Sequence, residues 1–272
     1  MSVFQAIFLG FLQGLTEFLP VSSSGHLVLV QKIMGISEPA LLFDTLLHAG
    51  TLVAVLIVLW KDVWALLKRP VQRLTGLLIA GTIPTVIIAL LFKKAIEHAF
   101  TSGAFLGFGF LLTTVILLVA EWLSSRKTKG RGESEMKYTD AVLIGTLQGV
   151  AIFPAVSRSG STIAGALGVG LNREFAARFS FLMAIPAILG ALVLQLKDLL
   201  PAFKAHDTEA LFGGTGLTAV LAGVLTAAIV GVFAVRFMLS IIRNKNLKVF
   251  AIYTGILGIL VLADQFFLHL FF

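Results

Sequence analysis

A segment of 17 residues occurs twice in this chain, and this repeat constrains the fold more than any other feature of the sequence. Residues 10–26 read GFLQGLTEFLPVSSSGH and residues 145–161 read GTLQGVAIFPAVSRSGS. An offset of 135 aligns the two copies without a gap, and nine of the 17 positions are identical. Self-similarity at a fixed offset indicates that one structural unit is used more than once. The repeat therefore predicts two halves of related structure.

The positions at which the two copies differ carry most of the chemistry. The first copy has Glu17, Ser23 and His26, whereas the second copy has Arg158 in the place of Ser23 and Ile152 in the place of Glu17. Two similar backbones thus present an acidic and nucleophilic set in one copy and a cation in the other. This difference predicts one site that is shared between the two halves.

The composition predicts that the chain is an integral membrane protein. Hydrophobic residues make up 58% of the 272 residues and charged residues only 13%, against about a quarter in soluble proteins. The absence of cysteine excludes disulfides and thiolate metal sites. The net charge of +7 does not indicate a nucleic-acid partner, because the basic residues lie in short loops between apolar segments, as membrane orientation requires.

Six segments are apolar enough and long enough to cross about 30 Å of hydrocarbon as helices of about 20 residues. They are 40–60, 74–92, 99–123, 174–197, 213–238 and 249–271. The two repeat copies are different, because each has short helix-like stretches around a proline and a Ser/Gly cluster that would break a continuous span. We expect two re-entrant helix–loop–helix segments, which at membrane depth must be buried in protein or line a wet cavity.

The number of spans predicts an inverted repeat. Three spans separate the two copies, so the second copy enters the membrane from the opposite face. We expect the two halves, approximately 1–125 and 139–272, to form one domain and to be joined by a basic cytoplasmic loop. The positive-inside rule places the termini outside, because fifteen basic residues lie on one side and five on the other. The fifteen are Lys61, Lys68, Arg69, Arg73, Arg126, Lys127, Lys129, Arg131, Lys137, Arg173, Arg178, Arg236, Arg243, Lys245 and Lys248; the five are Lys32, Lys93, Lys94, Lys197 and Lys204.

The residue types in the two loops suit phosphoryl transfer. Backbone N–H groups in a Ser/Gly turn at a helix N-terminus bind anions, and the planar fork of Arg158 suits phosphate oxygens. Ser23 is the first candidate for the nucleophile with His26 as its base, and His26 as the nucleophile is the rival assignment. Glu17 would hold a divalent ion or act on protons.

Structural explanations exist for the same residues. The serines after Pro20 could only cap a helix, and His26 could be a structural histidine. Glu17 and Arg158 could be a buried ion pair that clamps the two loops. Gln13 and Gln148 occupy equivalent positions, which favours a symmetric structural role for them. Asp44 and His48, four residues apart on one helix face, are candidates for supporting the site or for an interhelical hydrogen bond.

The motifs QGLTEFLPVSSSGH and PAVSRSGSTIAG, with the later FSFLMAIPAILGA, closely resemble the undecaprenyl pyrophosphate phosphatase (BacA/UppP) family over essentially the whole chain. The resemblance implies a fold of six transmembrane helices and two re-entrant loops and a metal-dependent reaction, with Mg²⁺ or Ca²⁺ as cofactor. The family's acidic motif falls on Gln13 and Glu17, its serine cluster on Ser22, Ser23 and Ser24, its histidine on His26, and its arginine on Arg158. The candidates for substrate binding are Gln13, Ser22, Ser24, Gly25, Ser157, Ser159 and Gly160.

The expected function is therefore hydrolysis of undecaprenyl diphosphate in the bacterial inner membrane, at a site that opens to the outer face. The partners would be this lipid and the surrounding membrane lipids, and no nucleic acid is expected. The sequence does not determine the oligomeric state. The reaction would recycle the lipid carrier of peptidoglycan synthesis and contribute to bacitracin resistance. The alternative is a transporter of polyprenyl phosphate, because inverted repeats with loops at the membrane midplane are common in transporters.

Overall fold

The protein is all-helical in the computed structural model, which describes residues 1–36, 41–125, 130–205, 215–244 and 246–272. In these ranges the only β pairing is an isolated bridge between Arg131 and Leu171. The helices of the described residues are α1 (Val3–Thr16), α2 (Ser23–Ile33), α3 (Leu41–Val58), α4 (Trp60–Lys68), α5 (Arg73–Leu91), α6 (Lys93–Ser102), α7 (Leu106–Ser125), α8 (Tyr138–Val150), α9 (Arg158–Gly168), α10 (Arg173–Lys204), α11 (Leu217–Asn244) and α12 (Lys248–Ala263).

Five helices of the described residues are long and apolar enough to cross a membrane, namely α5, α7, α10, α11 and α12 with its continuation to Leu268. A sixth span results if α3 and α4 are counted together, although the chain bends by 81° between them. The prediction of an all-α, multi-pass membrane protein is therefore confirmed. The four helices of the repeat copies contain only 11 to 14 residues each, or roughly 16–21 Å at 1.5 Å per residue, and are too short to span.

Three of the predicted spans are interrupted or end early in the structure, whereas the fourth and fifth continue to Lys204 and Asn244. The span predicted at 99–123 is interrupted by Gly103, whose left-handed φ of 67° ends α6, and α7 begins only at Leu106. The first span ends at Val58 because the chain turns at Leu59, and the last gives way to a π-helical turn at Asp264–Leu268. Arg126, Lys127, Lys129 and Lys245 of the basic loop set, and residues 213–214 of the fifth predicted span, lie outside the described residues.

The two halves exchange their short helices. Although α1 belongs to the first half, it packs against α11 of the second half, and α8 of the second half packs correspondingly against α5 of the first. The helices α3 and α10, and likewise α7 and α12, pack against each other across the same boundary. As a result neither half has a complete core without the other.

Glycines at equivalent positions make both exchanged contacts possible. Gly10 on α1 and Gly145 on α8 are matched residues of the repeat. A Cβ at Gly10 would lie 2.2 Å from the carbonyl oxygen of Gly223, and a Cβ at Gly145 would lie 1.8 Å from that of Gly81. The backbones therefore touch, as at the small-residue crossings of membrane helices. Thr85 adds a hydrogen bond of 2.8 Å to the Gly145 carbonyl.

We expect Gly145→Ala to destabilise the protein strongly, because its methyl group would overlap the Gly81 carbonyl and push α8 away from α5. Overpacking of this kind costs about 1–3 kcal/mol or more. Gly190→Ala is the matched control, since no atom lies within 4 Å of its Cβ position. Thermal unfolding in detergent should give a clearly lower Tm for Gly145→Ala alone. Equal Tm values for the two variants would contradict the close crossing of α5 and α8.

Candidate active site

The first repeat copy forms a strained turn between α1 and α2. Glu17 caps the C-terminus of α1, and Ser22 caps the N-terminus of α2, with its Oγ accepting a hydrogen bond from the Gly25 N–H at 3.3 Å. Ser22 has a φ of 70°, which is uncommon for a residue with a side chain and is typical of functional sites. This turn places Ser23 at the first position of α2.

The second copy forms a matching turn before α9. Ser157 caps this helix, with its Oγ accepting from the Gly160 N–H at 3.0 Å, and Arg158 occupies the first helical position. The two capping serines also make the same side-chain contact, because the Oγ atoms of Ser22 and Ser24, and those of Ser157 and Ser159, are both 3.3 Å apart. The sequence repeat is thus a structural repeat at the level of single hydroxyl groups.

The two turns contact each other directly. The Ser159 hydroxyl donates to the Leu19 carbonyl at 2.9 Å, and a Cβ at Gly25 would lie 2.8 Å from the Cα of Ala155. A Cβ at Gly160 would lie 3.3 Å from the Cβ of Pro20. The N-termini of α2 and α9 therefore meet in the interior of the protein, as the repeat predicted.

Glu17 is the centre of the polar contacts between the turns. Its side chain is buried, and Arg158 Nη2 donates to Oε1 in an ion pair between the halves. Oε2 accepts from the Ser23 hydroxyl at 2.5 Å and from Gln13 Nε2 at 2.9 Å. Nε2 of His48 on α3 lies 3.7 Å from the same oxygen. Both carboxylate oxygens are therefore engaged.

Two polar atoms beside this carboxylate are buried without a hydrogen-bond partner among the described residues: Nη1 of Arg158 and Oε1 of Gln13. A buried polar group without a partner costs about 1–3 kcal/mol and calls for an explanation. Arg158 and Gln13 both contact Glu17, so an unpartnered nitrogen and an unpartnered oxygen belong to residues that contact the same carboxylate. A ligand bound at this point would give both atoms a partner.

His26 lies at the same turn but makes different contacts. Its Nδ1 lies 2.6 Å from the Ser22 carbonyl, and its Nε2 lies 2.6 Å from the hydroxyl of Tyr253 on α12. Ser23, the residue for which His26 is the predicted base, donates to Glu17 instead. Phe110 approaches the imidazole edge-on, with ring centroids 5.4 Å apart.

The other polar residues singled out in the sequence, Asp44, His48 and Gln148, each have their own hydrogen-bond partners. On α3, His48 Nδ1 donates to the Asp44 carbonyl at 2.8 Å, and the Asp44 carboxylate accepts from Gln31 Nε2 of α2 at 2.8 Å, so Asp44 ties α3 to α2. Gln148 does not repeat the contact of Gln13, because its Nε2 donates to the hydroxyl of Thr85 at 3.1 Å. The equivalent glutamines therefore have different partners.

Tyr253 is the site residue that sequence reasoning missed. It lies in the apolar segment KVFAIYTGILG, which carries no local signal of function. It reaches His26 only because α12 packs along α7, which in turn contacts α2.

The donors at the site suit a hard cation only in part. Within the described residues no group of three or more His, Cys, Asp or Glu side chains is placed to share a metal ion. Glu17 and the free Oε1 of Gln13 are oxygen donors, and Mg²⁺ is commonly held by one or two carboxylates together with substrate phosphates. Because the oxygens of Glu17 already accept from Arg158, Ser23 and Gln13, an ion held here would need further ligands from a phosphate and from water.

Comparisons with known proteins match the chain over nearly its whole length. The family profile described as bacitracin resistance protein BacA matches residues 6–260. An undecaprenyl-diphosphatase of Carboxydothermus hydrogenoformans is 50% identical over 266 residues, which cover 97% of this chain and 98% of that protein. Undecaprenyl-diphosphatase 4 of Bacillus thuringiensis is 44% identical over 98% of both chains. An undecaprenyl-diphosphatase of Methanosphaera stadtmanae is 40% identical over 96% of this chain and 97% of its own.

Proposed function

The chain belongs to the bacitracin resistance protein BacA family, and we propose that it is an undecaprenyl-diphosphatase whose reaction takes place where its two serine turns meet. The reaction converts undecaprenyl diphosphate and water into undecaprenyl phosphate and inorganic phosphate. It recycles the lipid carrier for cell-wall synthesis and contributes to bacitracin resistance.

The unpartnered Nη1 of Arg158 is the observation that carries the assignment of the site. One guanidinium nitrogen is held by Glu17, and the other is buried with no acceptor among the described residues. A phosphate oxygen is an acceptor that this geometry suits, because charge-assisted hydrogen bonds from arginine to phosphate are strong and directional. Arg158 would then hold Glu17 and the terminal phosphate at the same time.

The helix N-termini would complete the anion site. The free backbone N–H groups and the dipole at a helix N-terminus favour a negative charge. Two such termini, those of α2 and α9, meet at this point, and Ser22, Ser24, Ser157 and Ser159 provide hydroxyl groups around them. The diphosphate would therefore be held by both copies of the repeat.

The contacts favour Ser23 as the nucleophile. Its Oγ would attack the terminal phosphorus as the bond to the bridging oxygen breaks, so that undecaprenyl phosphate leaves and a phosphoserine remains. The proton of Ser23 would pass to Oε2 of Glu17, which already accepts its hydrogen bond at 2.5 Å. Water would then hydrolyse the phosphoserine. His26 remains the rival nucleophile, although both of its ring nitrogens have other partners in the structure.

A divalent ion, Mg²⁺ or Ca²⁺, belongs to this proposal. Glu17 and Gln13 Oε1 would hold it beside the phosphates. When bound, such an ion neutralises charge that develops on the phosphate oxygens.

We extend the proposal to the membrane arrangement. The helices α3 with α4, α5, α7, α10, α11 and α12 would be six spans, and the pairs α1–α2 and α8–α9 two re-entrant segments of an inverted repeat. The distribution of basic residues favours termini outside the bacterial inner membrane and a site that opens outward.

We expect Arg158→Lys to lower phosphate release from undecaprenyl diphosphate at least about tenfold, because lysine cannot hold Glu17 and a phosphate with two fixed nitrogens. The assay uses the purified protein in detergent, where a transporter would release no phosphate. Arg243→Lys is the matched control, since the ion pair of Arg243 with Glu174 is exposed. Near-normal turnover of Arg158→Lys would show that Arg158 is only a structural partner of Glu17.

Ser23→Ala should abolish turnover while the protein still folds and binds the diphosphate lipid. Ser24→Ala should have only a mild effect, because it loses a hydrogen bond of about 0.5–1.5 kcal/mol. Trapping and mass mapping of a phosphoenzyme should place the phosphate on Ser23. If Ser23→Ala is active and His26→Ala is not, the nucleophile is His26.

A cysteine at Ser24 tests the outward opening, because the chain contains no other cysteine. Ser24 is partly exposed beside the nucleophile. A membrane-impermeant thiol reagent added to intact cells should label the Ser24→Cys protein, and diphosphate should protect it. Labelling only in inverted vesicles would contradict an outward-facing site.

A further inference from the structure

The contacts of His26 define which of its nitrogens carries a proton. A carbonyl oxygen can only accept, so the contact of 2.6 Å with the Ser22 carbonyl requires a proton on Nδ1. In the neutral ring Nε2 then has a lone pair, and the Tyr253 hydroxyl at 2.6 Å is its donor. Both nitrogens of the imidazole are therefore occupied within the protein.

The ring of Tyr253 also restricts the orientation of the imidazole. The two rings are nearly parallel, with an interplanar angle of 9° and centroids 5.6 Å apart, and Phe110 packs edge-on against His26. The helix that carries Tyr253 is itself held in place, because the hydroxyl groups of Thr254 and Thr114 are 2.9 Å apart between α12 and α7. Tyr253 thus reaches the first serine turn from a helix of the opposite half that is hydrogen-bonded to α7.

This contact bears on Ser23 through the backbone of the turn. His26 Nδ1 holds the carbonyl of Ser22, the residue with a φ of 70°. The next residue is Ser23, whose hydroxyl must point at Glu17. A change in the imidazole therefore alters the peptide group that directly precedes the proposed nucleophile.

We propose that Tyr253 is a positioning residue for the diphosphatase reaction: by donating to His26 Nε2, it fixes the imidazole as the Nδ1–H tautomer, which holds the Ser22 turn and aims Ser23 at Glu17. The inference rests on the proposed function. It gives His26 the role of a neutral support, and it makes a residue of the last span contribute to the rate of a reaction carried by the first turn.

Tyr253→Phe tests the role of the hydroxyl with little risk to the fold, because the ring is retained and is half exposed. We expect kcat to fall about three- to tenfold, the equivalent of one hydrogen bond, with KM changed less than about twofold. Tyr138→Phe is the matched control at the only other tyrosine of the chain. An unchanged kcat in Tyr253→Phe, or the same loss in Tyr138→Phe, would overturn the proposal.

Two further measurements separate positioning from a general loss of stability. In a His26→Leu background, Tyr253→Phe should have no additional effect on kcat, because leucine offers the Tyr253 hydroxyl no acceptor. The ¹⁵N spectrum of histidine-labelled protein should show His26, assigned with His26→Leu, as the Nδ1–H tautomer. Its Nε2 signal should move in Tyr253→Phe and stay in Tyr138→Phe. An unmoved signal would overturn the proposal even if His26→Leu is inactive.

The outcomes for the wild type keep the two proposals distinct. A wild-type protein that releases no phosphate from undecaprenyl diphosphate would overturn the proposed function and, with it, this role of Tyr253. An active wild type with an equally active Tyr253→Phe variant would overturn only the role of Tyr253.

Discussion

The ion pair between Glu17 and Arg158 is the contact on which the rest of the site depends. Two charges buried in a membrane protein are costly unless each is paired and hydrogen-bonded, and removing one partner of such a pair costs about 3–5 kcal/mol. Glu17 meets this requirement fully through Arg158, Ser23 and Gln13. Arg158 meets it only in part, because its Nη1 has no acceptor among the described residues. The pair therefore joins the two halves, and in the proposed reaction the remaining donor of Arg158 binds the anion.

The ion pair joins the turns that follow α1 and α8, and each of these helices crosses a helix of the opposite half at backbone contact. Gly10 and Gly145 bring α1 and α8 against helices of the opposite half, so each turn is supported by the half to which it does not belong. A site of this kind cannot assemble from one half alone. Gly25 and Gly160 lie where the two turns contact each other. A side chain at either position would push the two helix N-termini apart.

The sequence predicts the parts of this arrangement that follow from the repeat and from hydropathy. The alignment without gaps was enough to bring Glu17, Ser23 and Arg158 together, and the apolar segments indicated the long helices. The helix ends at Leu59 and Gly103 were not predicted, because an apolar segment does not show where a helix bends or ends within it. Tyr253 escaped because its role depends on the packing of α12 against α7, a contact between distant parts of the chain. The roles of the site residues, the metal and the outward opening stay predictions.

The differences between the two copies explain why one site is made from two unlike loops. Had both copies kept a carboxylate, two buried negative charges would have repelled each other and the anionic substrate. With Ile152 in the place of Glu17, and Arg158 in the place of Ser23, the second copy contributes a positive charge and no acid. The resting site is then close to neutral, and the excess negative charge comes with the diphosphate. In the proposed reaction, a divalent ion that arrives with the phosphates would offset this charge.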